Sequence, residues 1–195
     1  MIDISSYPIL SSNISALKDT SMDNRDDVTE VYMTESDRPA VNFDKVKEEY
    51  VKSLGLSEAP KSNDALMAVG KGECVFVEFK NGYMHKTEQH AIRKKIYDSV
   101  LIFSDIVSAR ISDLRTCTDY ILVYNETVNG KNPDVIKEKK THIQPSASYN
   151  SFAKKVSSLA GEEHVFFGVK LFENYCFRKV HTYTQKEFEQ YLENI

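Results

Sequence analysis

Residues 63–82 read NDALMAVGKGECVFVEFKNG. Two short apolar runs flank Gly70, Lys71 and Gly72, a pattern that predicts two antiparallel strands joined by a tight turn. Side chains alternate between the two faces of a strand, so the register decides which residues share a face. With Lys71 at the centre of the turn, Val69 opposes Glu73 and Asp64 opposes Glu78. Opposed residues share a face, and Lys80 lies on the same face two residues beyond Glu78. The hairpin therefore gathers one aspartate, one glutamate and one lysine at one end of one face. Two carboxylates and an amine so placed can hold a hard divalent cation beside a general base or charge stabiliser.

Before the hairpin, residues 42–55 (NFDKVKEEYVKSLG) predict a helix with Asn42 as N-cap and Gly55 as its stop. Phe43, Val46, Tyr50 and Leu54 form its apolar stripe; Glu49 borders that stripe and Glu48 points away. After the hairpin, Ile92, Ile96, Val100, Phe103 and Val107 mark the inner face of a long helix over about residues 87–110. Gln89 falls on its inward stripe, and Arg93 and Lys95 flank it. Residues 119–126 (DYILVYNE) predict the next strand. Strand, helical crossover and strand form a βαβ unit with parallel pairing. Ligands of open α/β sheets bind at the carboxyl ends of the strands, which is where Glu78 and Lys80 stand. Tyr149, Phe152, Val156 and Leu159 mark a short helix, residues 164–184 predict a hairpin turning near Asn174, and Thr184 with Glu187 opens a closing helix through a capping box.

The chain of 195 residues, 41% hydrophobic and 28% charged, suits one globular domain. No segment approaches the roughly 20 apolar residues of a membrane helix. The first residues lack a basic stretch before a long apolar run, so no secretory signal is expected. Cys74, Cys117 and Cys176 are far apart and without CxxC spacing, as reduced thiols of a cytoplasmic protein would be. The net charge of −4 argues against binding nucleic acid by bulk electrostatics. Residues 1–40 hold eight acids against Lys18, Arg25 and Arg38, leaving the other 155 residues at +1. That segment reads either as a partly ordered arm, with a short strand at residues 28–33, or as an acidic cover over a basic cleft. Lys131, Lys137, Lys139 and Lys140 form a loop that is either solvated or set against phosphates. Neither a GxxxxGK[ST] nor a GxSxG motif occurs, and His85 and His90 are five apart, the wrong spacing for a paired helical metal site.

Asp64, followed after thirteen intervening residues by Glu78, Phe79 and Lys80, resembles the PD-(D/E)XK nuclease superfamily over about residues 42–125. Asn63 stands where the proline of that name would be. The resemblance implies an α/β fold of the restriction-endonuclease-like type, a mixed sheet with a core of helix, β-hairpin, helix and parallel strand. A C-terminal hairpin and helix would extend it. It also implies Mg²⁺- or Mn²⁺-dependent hydrolysis of phosphodiester bonds in DNA or RNA. Asp64, Glu78 and the carbonyl of Phe79 would ligate the metal, and Lys80 would orient or activate the water. Such folds often donate a further carboxylate from the first helix, for which geometry favours Glu49; its other reading is a solvated helix acid. Gln89, or a basic residue such as Arg93, would assist at the phosphate. Lys95, Lys137, Lys139 and Lys140 would join Arg93 in contacting nucleic acid.

The expected organisation is an acidic arm over residues 1–40 and a single nuclease-like domain over residues 41–195. Two other readings stand beside the nuclease. One is a catalytically silent binding module (an antitoxin, immunity protein or regulatory subunit) acting through protein contact. The other is an unrelated α/β domain whose three side chains form a surface ion network. A homodimer or a protein partner would supply the positive surface that this chain lacks. Convergence of Asp64 and Glu78, with Lys80 facing them, keeps the first two readings; splayed side chains leave only the third.

Overall fold

The hairpin has the register that its alternation predicts. The computed structural model describes residues 2–23, 30–130 and 164–195. In it β5 (Ala65–Gly70) and β6 (Glu73–Lys80) pair antiparallel, Ala65 with Val77, Leu66 with Phe76, Met67 with Val75 and Ala68 with Cys74. Beyond Ala68 a bulge shifts the pairing by one, so Gly70 and not Val69 opposes Glu73.

Among the described residues six strands form one mixed sheet in the order β1 (Ile14–Ala16), β4 (Pro39–Asn42), β5, β6, β7 (Thr118–Tyr124), β8 (Val180–Thr184). The first four are antiparallel to their neighbours, while β7 runs parallel to β6 and β8 parallel to β7. The strands β2 (Met22–Asp23) and β3 (Val31–Tyr32) pair apart from it, and two one-turn helices, α1 (Pro8–Ser11) and α2 (Leu17–Thr20), flank β1 along the chain. The protein is therefore an α+β fold.

Both faces of β6 are covered, which is why its sequence runs apolar almost without a break. On one face Cys74 and Phe76 pack with Phe43 and Val46 of α3 (Phe43–Leu54) and Ile92, Ile96 and Phe103 of α4 (Lys86–Ile106). On the other, Val75, Val77 and Phe79 meet Phe188 and Leu192 of the C-terminal helix, Gln185–Glu193. Phe43, Phe76 and Phe103 stack edge to face with centroids 5.0–6.5 Å apart. Among the described residues no helix is long and apolar enough to cross a membrane.

Asn42 caps α3 as expected: its side-chain oxygen accepts from the Lys45 N–H at 3.1 Å, and Gly55 closes the helix at φ 64°. Asn42→Ala should lower stability by about 1 kcal/mol in urea denaturation. An unchanged midpoint would show that the cap contributes nothing.

Four expectations need correction. The segment before residue 40 is not an arm in its described part: β1 pairs with β4, and Leu10, Leu17 and Met33 are buried in the core. The supposed boundary falls inside β4. The strand expected at residues 28–33 is confined, in its described part, to the two residues of β3. The long helix stops at Ile106, because Ser108 takes φ 50°, and α5 (Ile111–Cys117) follows. In place of the C-terminal hairpin only β8 is a strand. Positive φ at Phe167 and Gly168 breaks the extended backbone before Lys170–Phe172 make a 3-10 turn. Its aromatics Phe166, Phe167, Phe172 and Phe177 all fall in one core cluster, so they are core packing without strand alternation. The helix expected around Tyr149 to Leu159 lies outside the described residues.

Candidate functional site

Asp64 immediately precedes β5 and Glu78 lies in β6, on the sheet face that α4 covers. Lys95 reaches them from α4: it follows Ile92 by three residues and precedes Ser99 by four, so it shares the face of those two buried residues. Its ammonium donates to Glu78 Oε1 at 2.7 Å, Glu78 Oε2 at 3.0 Å and Asp64 Oδ1 at 3.0 Å. Asp64 Oδ2 accepts from the Phe79 N–H at 2.7 Å, which ties the loop before β5 to the end of β6. Lys80 Nζ stands 3.3 Å from Glu78 Oε1 and 3.8 Å from Glu88 Oε2. The Glu78 side chain is 0% exposed, whereas Lys80 and Lys95 each keep 20% and line the open space.

Burial raises the pKa of Glu78 and the neighbouring Asp64 raises it further, against the pull of Lys95 and Lys80. Burial also raises that of Asp64, against Lys95 and the Phe79 N–H. Burial opposes the charge on Lys95, but Glu78 and Asp64 together outweigh it and hold its pKa above the ordinary lysine range. The quartet of two acids and two lysines is thus neutral and mutually dependent.

It opens into a cleft of about 580 Å³. Asp44, Lys45 and Glu48 of α3 form one wall and residues 19–23 another. Asn81 donates to Asp23 Oδ2 at 3.0 Å and accepts from Asn125 at 2.7 Å, which pins β2 over the carboxyl end of β6. Asp19, Asp23, Asp44, Glu48, Asp64 and Glu88 line the cleft against Lys45, Lys80 and Lys95, a net of three negative charges. Such a cleft attracts cations and repels a bare polyanion. Among the described residues no three His, Cys, Asp or Glu side chains converge as a complete ligand set. Mg²⁺ commonly takes one or two carboxylates and fills the rest of its shell with water and phosphate, and Asp64 with Glu78 fits that donor set. A larger cleft, about 660 Å³, lies by the hairpin turn; it is lined mainly by Ile2, Ile4, Ile14, Val41 and Leu66 and holds no such cluster.

The expected residues divide. Asp64, Glu78 and Lys80 come together; Asp64, Phe79 and Lys80 line the cleft, whereas Glu78 is fully buried and does not. Lys95, expected to face nucleic acid, sits between the carboxylates. Glu49 is exposed and does not line the cleft; Asp44 and Glu48, one turn apart on α3, do. Gln89 donates to the Met84 carbonyl at 3.2 Å, and it is Glu88 that reaches Lys80. Arg93 Nη2 donates to the Gly168 carbonyl at 3.4 Å, away from the cleft. Lys137, Lys139 and Lys140 lie outside the described residues. The acids at positions 44 and 48 could have been found from their spacing of four, which puts both on one helix face.

Comparison with protein-family models, curated proteins and solved structures finds no match to this chain.

Proposed function

We propose that the protein is a metal-dependent nuclease that hydrolyses phosphodiester bonds of DNA or RNA. The observation that carries this reading is the convergence of Asp64 and Glu78 on one cationic atom within 3.0 Å, with the Lys80 amine beside Glu78. The PD-(D/E)XK-like order of Asp64, Glu78 and Lys80 at the end of a parallel strand supports it. Asp64 and Glu78, with the Phe79 carbonyl, would hold Mg²⁺ or Mn²⁺. The ion would supply Lewis acidity toward the phosphate and a more acidic water. Lys80 holds that water or the charge growing on the phosphate oxygens. Water oxygen bonds to phosphorus as the phosphorus–ester oxygen bond breaks; the water gives up one proton to solvent, and the leaving oxygen takes one up from solvent. The acid-rich walls make a bound cation the condition for phosphate to enter. The three free thiols, Cys74, Cys117 and Cys176, suit the reducing cytoplasm as its compartment.

One observation favours a second reading. Lys95 already bridges both carboxylates, as it would in a nuclease-like binding module without turnover that acts on a protein partner. Cleavage of mixed DNA and RNA substrates with Mn²⁺ or Mg²⁺ separates the two. The nuclease reading expects metal-dependent activity that drops about 10²-fold or more in Lys80→Ala. Activity within threefold of wild type would remove Lys80 from the chemistry. A folded wild type that cuts nothing would favour the binding module.

A further inference from the structure

We propose that Lys95 is a resident counter-cation, competing with a divalent ion for Asp64 and Glu78 and becoming available to the substrate phosphate once displaced. The inference rests on the proposed metal-binding role of those two carboxylates. An ammonium has three N–H donors. Lys95 directs all three at carboxylate oxygens, at 2.7, 3.0 and 3.0 Å, and in this state has none left for a phosphate. Lys80 differs: it meets Glu78 Oε1 at 3.3 Å and Glu88 only at 3.8 Å.

A divalent ion binds carboxylate oxygens at about 2.0–2.6 Å, closer than the ammonium stands. The two cations cannot hold the same oxygens together without strong repulsion. A displaced Lys95 is not left without a counter-charge, since Asp44 and Glu48 line the same cleft. Metal binding thereby exchanges a lysine tied to the carboxylates for a lysine facing the phosphate, coupling the two binding events.

The first test is calorimetric titration of the whole chain with Mn²⁺ alone, comparing wild type with Lys95→Met. If Lys95 leaves the carboxylates a tenth of the time or less, the apparent Kd of the wild type is raised about tenfold or more over that of the variant. Equal or weaker Mn²⁺ binding by Lys95→Met overturns the proposal, as does no binding by either protein. Should the variant not fold, the wild type answers alone through amine acetylation mapped by mass spectrometry. Lys95 is expected to be protected in EDTA and labelled several-fold faster with Mn²⁺; equal labelling overturns the proposal. Neither readout uses cleavage. A protein that shows this Mn²⁺ pattern and cuts no nucleic acid keeps the inference and loses the nuclease reading.

Discussion

Replacing Glu78 by glutamine is expected to abolish metal-dependent cleavage, by roughly 10³-fold or more, while the protein stays folded. Glu78 is the one fully buried acid of the quartet and touches both lysines, so its charge is central to any cation held there. Glutamine keeps the volume in a tightly packed strand and removes the charge. The fold survives the change because Lys95 keeps Asp64 at 3.0 Å and Lys80 keeps Glu88 at 3.8 Å. The variant also sheds a buried carboxylate whose ionisation burial disfavours. Cleavage assays paired with circular-dichroism melting check both halves. Residual activity within tenfold of wild type would sink the metal-ligand role, whatever the melting curve.

Lys95→Met is expected to destabilise the metal-free protein by about 3–5 kcal/mol near pH 8, because it leaves the buried Glu78 and the largely covered Asp64 with Lys80 as their one close cation, 3.3 Å from Glu78. The pH dependence has a definite sign. Burial and mutual repulsion raise Glu78, and burial raises Asp64; the Lys95 charge that lowers both is then gone. Their folded-state pKa values lie above the unfolded ones, so the native variant binds more protons than the unfolded chain. Its stability falls as pH rises from about 4 through the folded values. Lys95 in the wild type has a raised pKa, so its own contribution is fully present below the unfolded lysine value and is lost only above it. Glu78 and Asp64 are raised in the wild type too, but less, because Lys95 lowers both, so the gap between the two proteins widens from pH 5.5 to pH 8. Urea denaturation in EDTA at both pH values measures it. The same loss at both, or a loss under about 1 kcal/mol at pH 8, would show that the pair is not held together as charges.

Much of the core architecture is legible in the sequence. Strand period and a glycine-flanked turn are local, and they put Asp64, Glu78 and Lys80 together; the one slip, at Val69, is a bulge that periodicity does not announce. The caps at Asn42 and Thr184 are equally local, each satisfied by an N–H three residues on. The two strands on the far side of β5 are not legible. β1 and β4 have three and four residues, too few for a pattern, and they exist because each completes the backbone pairing of a neighbour. The C-terminal aromatics alternate as strand residues do, yet Phe166, Phe167, Phe172 and Phe177 enter the core from irregular and 3-10 backbone before β8.

The sequence by itself determined the hairpin register, the main helix and parallel strand that follow it, and the company of one aspartate, one glutamate and one lysine. Only the tertiary structure decided which cation meets those carboxylates and which acids wall the cleft. Helical periodicity told that Lys95 flanks the inner face of α4, but not how far along the sheet the helix lies. That distance is set by packing α4 against Phe43 and Phe76, through contacts between residues tens of positions apart. Chemistry at one end of a sheet depends on ångström distances, and periodicity supplies only directions.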